Sequence, residues 1–121
     1  KPRAARQRPL TEDFVAEDRR SGGMHLGKLD ATEFDQSRAS MWEVGNPRPR
    51  MSMAAVVAVR GDRLAAVVEA IDFGDQTVVD GILCYCLDPG LERLQRVLML
   101  DPDDRDGAMR ELNRMHAELD D

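Results

Sequence analysis

The sequence predicts an α+β fold in which a curved antiparallel sheet is closed by a helix. Three observations carry that expectation. Apolar, β-branched runs of strand length recur at Met51–Val59, Leu64–Phe73, Thr77–Leu87 and Leu94–Leu100. Polar turns separate them: Gly61-Asp62, Gly74-Asp75 and Asp88-Pro89-Gly90. The last run leads into Asp101-Pro102-Asp103-Asp104 and then an amphipathic segment.

Each element follows from its own residues. Lys1, Arg3, Arg6 and Arg8, with Pro2 and Pro9, mark residues 1–12 as a basic arm. Residues 13–121 form the domain. Phe14 to Arg19 alternates weakly and predicts a short strand, and Ser21-Gly22-Gly23 supplies a turn. Met24 to Leu29 returns as a second strand. Asp30 opens a helix reaching Val44, with Glu33 three positions on in an Asp variant of the capping box. Ala31, Phe34, Met41 and Trp42 share one face of it. Gly45-Asn46-Pro47 ends it, because Gly suits a left-handed cap and Pro cannot continue a helix.

Met51–Val59 is apolar on both faces, so something must cover each side of it. In the closing helix Asp101 is the expected N-cap and Pro102 the first helical residue. Ala108, Met109, Leu112, Met115 and Leu119 make its apolar stripe. Gly107 weakens that helix by up to about 1 kcal/mol relative to Ala.

Composition narrows the function classes. At 121 residues the chain makes one domain with a single core. The net charge of -6 argues against nucleic acid as a partner, since phosphates must be neutralised by Lys and Arg. No apolar run is long enough to span a bilayer, and the basic N-terminus lacks the apolar core of a secretory signal. Cys84 and Cys86 lie two apart in a strand, on one face, where disulfide geometry is seldom met. They predict reduced core thiols and a cytoplasmic protein. His25 and His116 are far from them in sequence, so no metal site is expected, and no cofactor motif is present.

The order of elements, strand, helix and long meander, resembles the nuclear transport factor 2-like superfamily in its SnoaL-like branch. FVAEDRRSGG resembles that group's first strand and hairpin, MWEVG the end of its short helix, and LDPGLERLQRVLMLDPDDRDGAMRELNRM its closing hairpin, strand and helix. The likeness covers residues 13 to 119 and is nearest to SnoaL-like domains attached to bacterial regulators and cyclases. It implies a cone-shaped α+β fold with a pocket between curved sheet and helices, and a homodimer through the outer face of the sheet. One departure stands out. The family normally begins with two helices covering the cone, and about 13 residues with two prolines precede Phe14 here.

Several residues are candidates for chemistry. The resemblance places Asp18 near the catalytic base of ketosteroid isomerases, where apolar surroundings would raise its pKa. The alternative is an Asp paired with Arg19 or Arg20 beside a turn. Asp80 interrupts the apolar run Val78-Val79-Asp80-Gly81-Ile82-Leu83 and must be paired, protonated or facing water. As a protonated acid it would donate to an oxyanion; otherwise it is a strand-start residue near solvent. Glu69, amid Val67, Val68, Ala70 and Ile71, is expected to pair across strands with an Arg such as Arg96. Trp42, Phe34, Tyr85 and Phe73 would line a pocket or fill the core. His25 is a candidate pocket residue and acid or base, since an unperturbed imidazole titrates near neutral pH, or else a plain residue of the Gly-rich hairpin.

Two functions follow. The first is a small-molecule-binding or dimerisation domain, a non-catalytic accessory module of a regulatory protein that takes an apolar ligand. The second is a ketosteroid-isomerase-like or cyclase-like enzyme using Asp18 and Asp80. The absence of a convergent polar set in the sequence favours the first.

Overall fold

A computed structural model describes residues 8–21, 27–43 and 50–119, except for the side chains at 38–43, 50 and 51. The expected turn at Gly22-Gly23, the helix stop at Gly45-Asn46-Pro47, His25 and the first seven residues lie outside the described residues. Six strands and two helices follow in order: β1 (Leu10–Asp18), β2 (Gly27–Asp30), α1 (Ala31–Glu43), β3 (Arg50–Arg60), β4 (Leu64–Asp72), β5 (Thr77–Leu87), β6 (Leu94–Leu100) and α2 (Arg105–Leu119). The strands make one sheet in the order β2-β1-β6-β5-β4-β3.

The meander from β3 to β6 is antiparallel, as its tight turns dictate. The expectation of a wholly antiparallel sheet needs one correction. β1 pairs with β6 in parallel, with Ala16 opposite Val97 and Asp18 opposite Met99. The hairpin of β1 and β2 thus docks sideways on the last strand, a long-range pairing that no local turn announces. β1 also starts at Leu10, inside the segment read as an arm. Arg8 donates to the Leu91 carbonyl at 2.9 Å, and the Leu94 amide donates to the Pro9 carbonyl at 2.9 Å. Register shifts interrupt β3, β4 against β5, and β6. Bulges of this kind bend a strand and raise its twist.

Alternation sends the apolar residues to two separate cores. Ala66, Val68, Ile82, Cys84, Cys86, Leu98 and Leu100 meet Ala108, Leu112 and Met115 of α2. Phe14, Ala16, Val67, Leu83, Val97 and Met99 point the other way and meet Phe34 of α1. These sides are called the α2 face and the α1 face below. α1 rests on β1 and β2, whereas α2 rests on β3, β4 and β5. The Phe14 and Phe34 rings stand 5.0 Å apart at 50°, a tilted aromatic pair.

The helix starts show how local chemistry fixes each helix. Glu33 N–H donates to Asp30 Oδ1 at 2.8 Å, and Asp30 N–H donates to Glu33 Oε1 at 3.0 Å, the reciprocal capping box that the sequence predicts. For α2 the cap is Asp104 in place of Asp101. Gly107 N–H donates to Asp104 Oδ1 at 3.0 Å, and Asp101 turns away to accept from Ser21 N–H at 2.9 Å. A Cβ at Gly107 would lie 2.3 Å from Asp104 Oδ2, so the glycine that lowers helix propensity is what leaves room for the cap.

Ion pairs tie α2 to the sheet. Arg19 donates to Glu111 at 2.7 Å and also pairs with Glu17. Burial pushes the Glu111 carboxyl up, but hydrogen bonds from Arg19 and Arg114 outweigh it and hold the group below its ordinary value. A depressed folded-state pKa contributes stability above the unfolded value and loses it as pH falls. Glu111→Gln should therefore flatten the acid limb of a stability-against-pH curve and leave its shape above neutrality unchanged, as denaturant melts across pH will show.

Cys84 and Cys86 are both buried on the α2 face. Burial, with a contribution from Glu111, pushes the Cys84 thiol up to about 12, and burial raises Cys86 as well. Since the thiolate is the reactive form, neither should react in the native protein at about pH 8. Alkylation followed by mass spectrometry should find no label before denaturation and both thiols labelled after it.

Candidate functional site

The polar groups that matter gather on the α1 face, where β1 ends. Asp18 shares the parity of Phe14 and Ala16 and lies opposite Met99, which puts it on that face. Its side chain is wholly excluded from solvent. The chain then leaves the strand, and Arg20 folds back over it. Arg20 Nε donates to Asp18 Oδ1 at 2.9 Å and Nη2 donates to Oδ2 at 2.7 Å, a bidentate pair. The Arg20 backbone N–H donates to Oδ1 at 3.1 Å as well.

The same guanidinium reaches a second acid. Arg20 Nη1 donates to Asp80 Oδ1 at 2.9 Å. Asp80 is the extra residue of a bulge, since Glu69 pairs with Gly81 and Ala70 with Val79. A bulge redirects the side chain it carries, and here it turns an acid inside an apolar strand toward Arg20. Gly81 makes the crossing feasible. A Cβ there would meet the Leu100 carbonyl at 2.6 Å and the Arg20 Cδ at 3.4 Å. Glu69, on β4 opposite Gly81, is buried nearby. The hydrogen bonds to Asp18 raise the Arg20 pKa above its ordinary value, with the charges of Asp80, Asp18 and Glu69 adding to the rise against the opposing effect of burial.

The structure thus brings together Asp18, Asp80 and Glu69, and it supplies the residue that sequence reasoning passed over as a site residue, Arg20. The sequence offers Arg20 only as an alternative to Arg19 in pairing with Asp18 beside a turn. The pairing expected between Glu69 and Arg96 is not formed. Arg96 lies on the α2 face and pairs with Glu118 at 3.3 Å. Phe34 is buried against Phe14 as a core residue, and Tyr85 is half-buried on the α1 face. Phe73 sits 40 % exposed beyond the end of β4. The Trp42 side chain and His25 lie outside the described residues.

Beside this cluster the α1 face is apolar and partly open. Met53, Val56 and Val59 of β3 pair with Glu69, Val67 and Ala65, so they share that face. They are 48, 62 and 55 % exposed, because α1 packs on the far strands. The other face of β3 rests on the α2 core through Val57 and Ala58. Of the two covers expected for this doubly apolar strand, α2 provides one. The arrangement left on the α1 face is an apolar shelf with a rigid, charged end.

The architecture has known counterparts. A de novo designed NTF2 fold protein, NT-9, superposes with a TM-score of 0.53 at 18 % identity, covering 90 % of this chain and 76 % of the design. The BvnE pinacolase of Penicillium brevicompactum superposes with a TM-score of 0.53 at 9 % identity, covering 89 % of this chain and 79 % of the enzyme. The chain has the nuclear transport factor 2-like fold. An NTF2-like protein of unknown function from Cytophaga hutchinsonii is similar at a TM-score of 0.47 and 13 % identity, covering 78 % of this chain and 69 % of that one. No family model and no curated protein matches the sequence. Likeness at these identities establishes the fold, and a shared fold leaves the chemistry to be argued from the site.

The site's chemistry follows from the clamp. The Asp18 carboxylate, excluded from solvent, accepts three hydrogen bonds from Arg20, two at Oδ1 and one at Oδ2. Removing the guanidinium would strand Asp18 in a place where an unpaired charge is costly. Arg20→Met should therefore destabilise the fold by about 3–5 kcal/mol, measured by urea unfolding at neutral pH. Arg20→Lys, which keeps the charge and loses the fork, should restore only part of that loss.

Proposed function

We propose that this chain is a small-molecule-binding domain of the SnoaL-like type, a non-catalytic accessory module of a regulatory protein. The ligand is an apolar molecule lying on the α1 face, with Tyr85, Met53, Val56 and Val59 beside it and the Asp18–Arg20–Asp80 cluster at its polar end. One observation carries the reading: Asp18 and Asp80, the two carboxylates that the sequence offers for acid/base work, are both bonded to Arg20. A general base needs a lone pair directed at substrate, and a general acid needs a proton to give. Binding sites, by contrast, are apolar surfaces with a few fixed polar groups, which is what this face offers. The homodimer expected from the sequence belongs to the same proposal, supported by Phe73, Val78 and Val79 left exposed at the far end of β4 and β5.

The second reading, an acid/base enzyme acting on an apolar substrate, is favoured by the convergence of Asp18, Asp80 and Glu69. It requires Arg20 to release Asp18 when substrate arrives. A thermal-shift screen of apolar small molecules tests the first reading. A ligand at about 100 times its dissociation constant should raise the melting temperature on the order of 10 °C. Val56→Asp, at an exposed position, should abolish the shift with little change in the melting temperature of the free protein. A screen without a stabiliser, or an undiminished shift in that variant, overturns the assignment. In a crystal structure of the complex, Arg20 should still grip Asp18; a released Asp18 would favour the enzyme.

A further inference from the structure

A second concavity lies on the opposite side of the sheet. α2 rests on β3, β4 and β5 and buries Leu98 and Leu100 of β6, while Val15 of β1 on the same face stays exposed. Between β1 and the flank of α2 is a cleft of about 420 Å³, lined by Asp13, Val15, Cys86, Arg96, Met115 and Leu119, with Gln95 and Glu118 at its rim. This volume falls within the range of small-molecule sites. Alternation explains the floor: Val15 points away from buried Ala16 and is 45 % exposed, and Leu119 at the end of α2 is 38 % exposed. Both therefore present apolar surface to the cleft.

The charges at the rim are unevenly satisfied. Arg96 pairs with Glu118 at 3.3 Å, and Glu118 also takes a shorter bond from Arg114 at 2.7 Å. Gln95 is spoken for on both sides: its Oε1 accepts from Arg63 at 3.0 Å, and its Nε2 donates to Asp13 at 3.3 Å. Among the described residues no ion pair reaches Asp13, whose carboxyl accepts from the Gln95 amide and is held below its ordinary value by the side chains of Thr11 and Gln95. A carboxylate without an ion pair thus stands beside an open apolar floor, and the acids of the lining outnumber its single arginine.

We infer that this cleft binds a small organic cation, an ammonium group on an apolar body, with Asp13 as counter-ion and Val15, Met115 and Leu119 against the hydrocarbon. The site is separate from the α1 face and does not depend on the function assigned there. Burial of the hydrocarbon supplies most of the affinity, and the ion pair sets the sign of charge that is accepted.

Three matched probes test it: 2-phenylethylamine, 2-phenylethanol and 3-phenylpropionate, each titrated into the full chain and followed by amide chemical shifts. The amine should bind best and the carboxylate worst, with shifts confined to residues around Val15, Arg96 and Leu119. Asp13→Asn should weaken the amine about three- to fivefold, the size of an exposed ion pair, and leave the alcohol unchanged. Added salt should narrow the preference for the amine. Val56→Asp should change none of this. Equal binding of the three probes, or an unaltered amine affinity in Asp13→Asn, overturns the inference. Shifts centred on Tyr85 and Val56 overturn it too, and leave the reading of the α1 face standing.

Discussion

Arg20 joins two strands that are not neighbours. β6 lies between β1 and β5, strands about two spacings or roughly 10 Å apart, and the side chains of Asp18 and Asp80 converge from them on one guanidinium. Much of the local covalent structure exists to permit that reach. Gly81 keeps a side chain out of the path, the bulge after Glu69 delivers Asp80, and the end of β1 places Arg20 two residues beyond its partner. Three acids in an apolar interior would each carry a desolvation cost of several kcal/mol if left unpaired. Arg20 offsets that cost for Asp18 and Asp80, because its donors lie in a fixed plane that reaches both, and its charge acts on Glu69 nearby. Lysine has the charge without the geometry.

The division of the core into two faces follows from the same sheet. Each face is covered by one helix, and each helix covers only part of it. α1 rests on β1 and β2, leaving Met53, Val56 and Val59 of β3 exposed; α2 rests on β3 to β5 and covers Leu98 and Leu100 of β6, leaving Val15 of β1 exposed on the other face. A six-stranded sheet is roughly 25–30 Å across, and a helix about 10 Å wide cannot cover it. Diagonally opposite corners of the sheet are therefore open, and both concave surfaces of this molecule arise there. Their polar groups differ in kind. On the α1 face the charges are internally paired and rigid, while on the α2 face an acid stands in the open.

What could be read from the sequence was what depends on near neighbours. The four long strands, their turns and the capping box of α1 are fixed by residues within a few positions of one another, and the strand lengths follow the apolar runs closely. The parallel pairing of β1 with β6 brings together residues about 80 positions apart and leaves no local mark. The choice between Asp101 and Asp104 as cap was equally hidden. Both are acids ahead of a helix, and the decision came from Ser21, a residue far along the chain that claims Asp101. For the site, Asp18, Asp80 and Glu69 were visible because acids in apolar runs need an explanation. Their common partner was visible in type as well, since an Asp-Arg-Arg sequence at a strand end places a cation within reach. That Arg20 would serve both Asp18 and Asp80 requires knowing that β5 lies one strand beyond β6.

The clamp bears directly on what the fold is used for here. The nuclear transport factor 2-like architecture houses a pinacolase, so the fold itself permits catalysis. Chemistry by Asp18 would need the carboxylate to gain and lose a proton, or to turn its lone pair on a substrate. Arg20 opposes both: a proton on Asp18 would forfeit two charge-assisted bonds, and rotation of the carboxylate would break them. The residues that make the cluster cohere are the residues that would have to let go. A polar end whose two aspartates are tied to one arginine suits recognition, where preorganised groups orient a ligand without reorganising. The same features of the sequence that point to an acid/base pair therefore become, once Arg20 stands between them, a clamp that opposes proton transfer by Asp18.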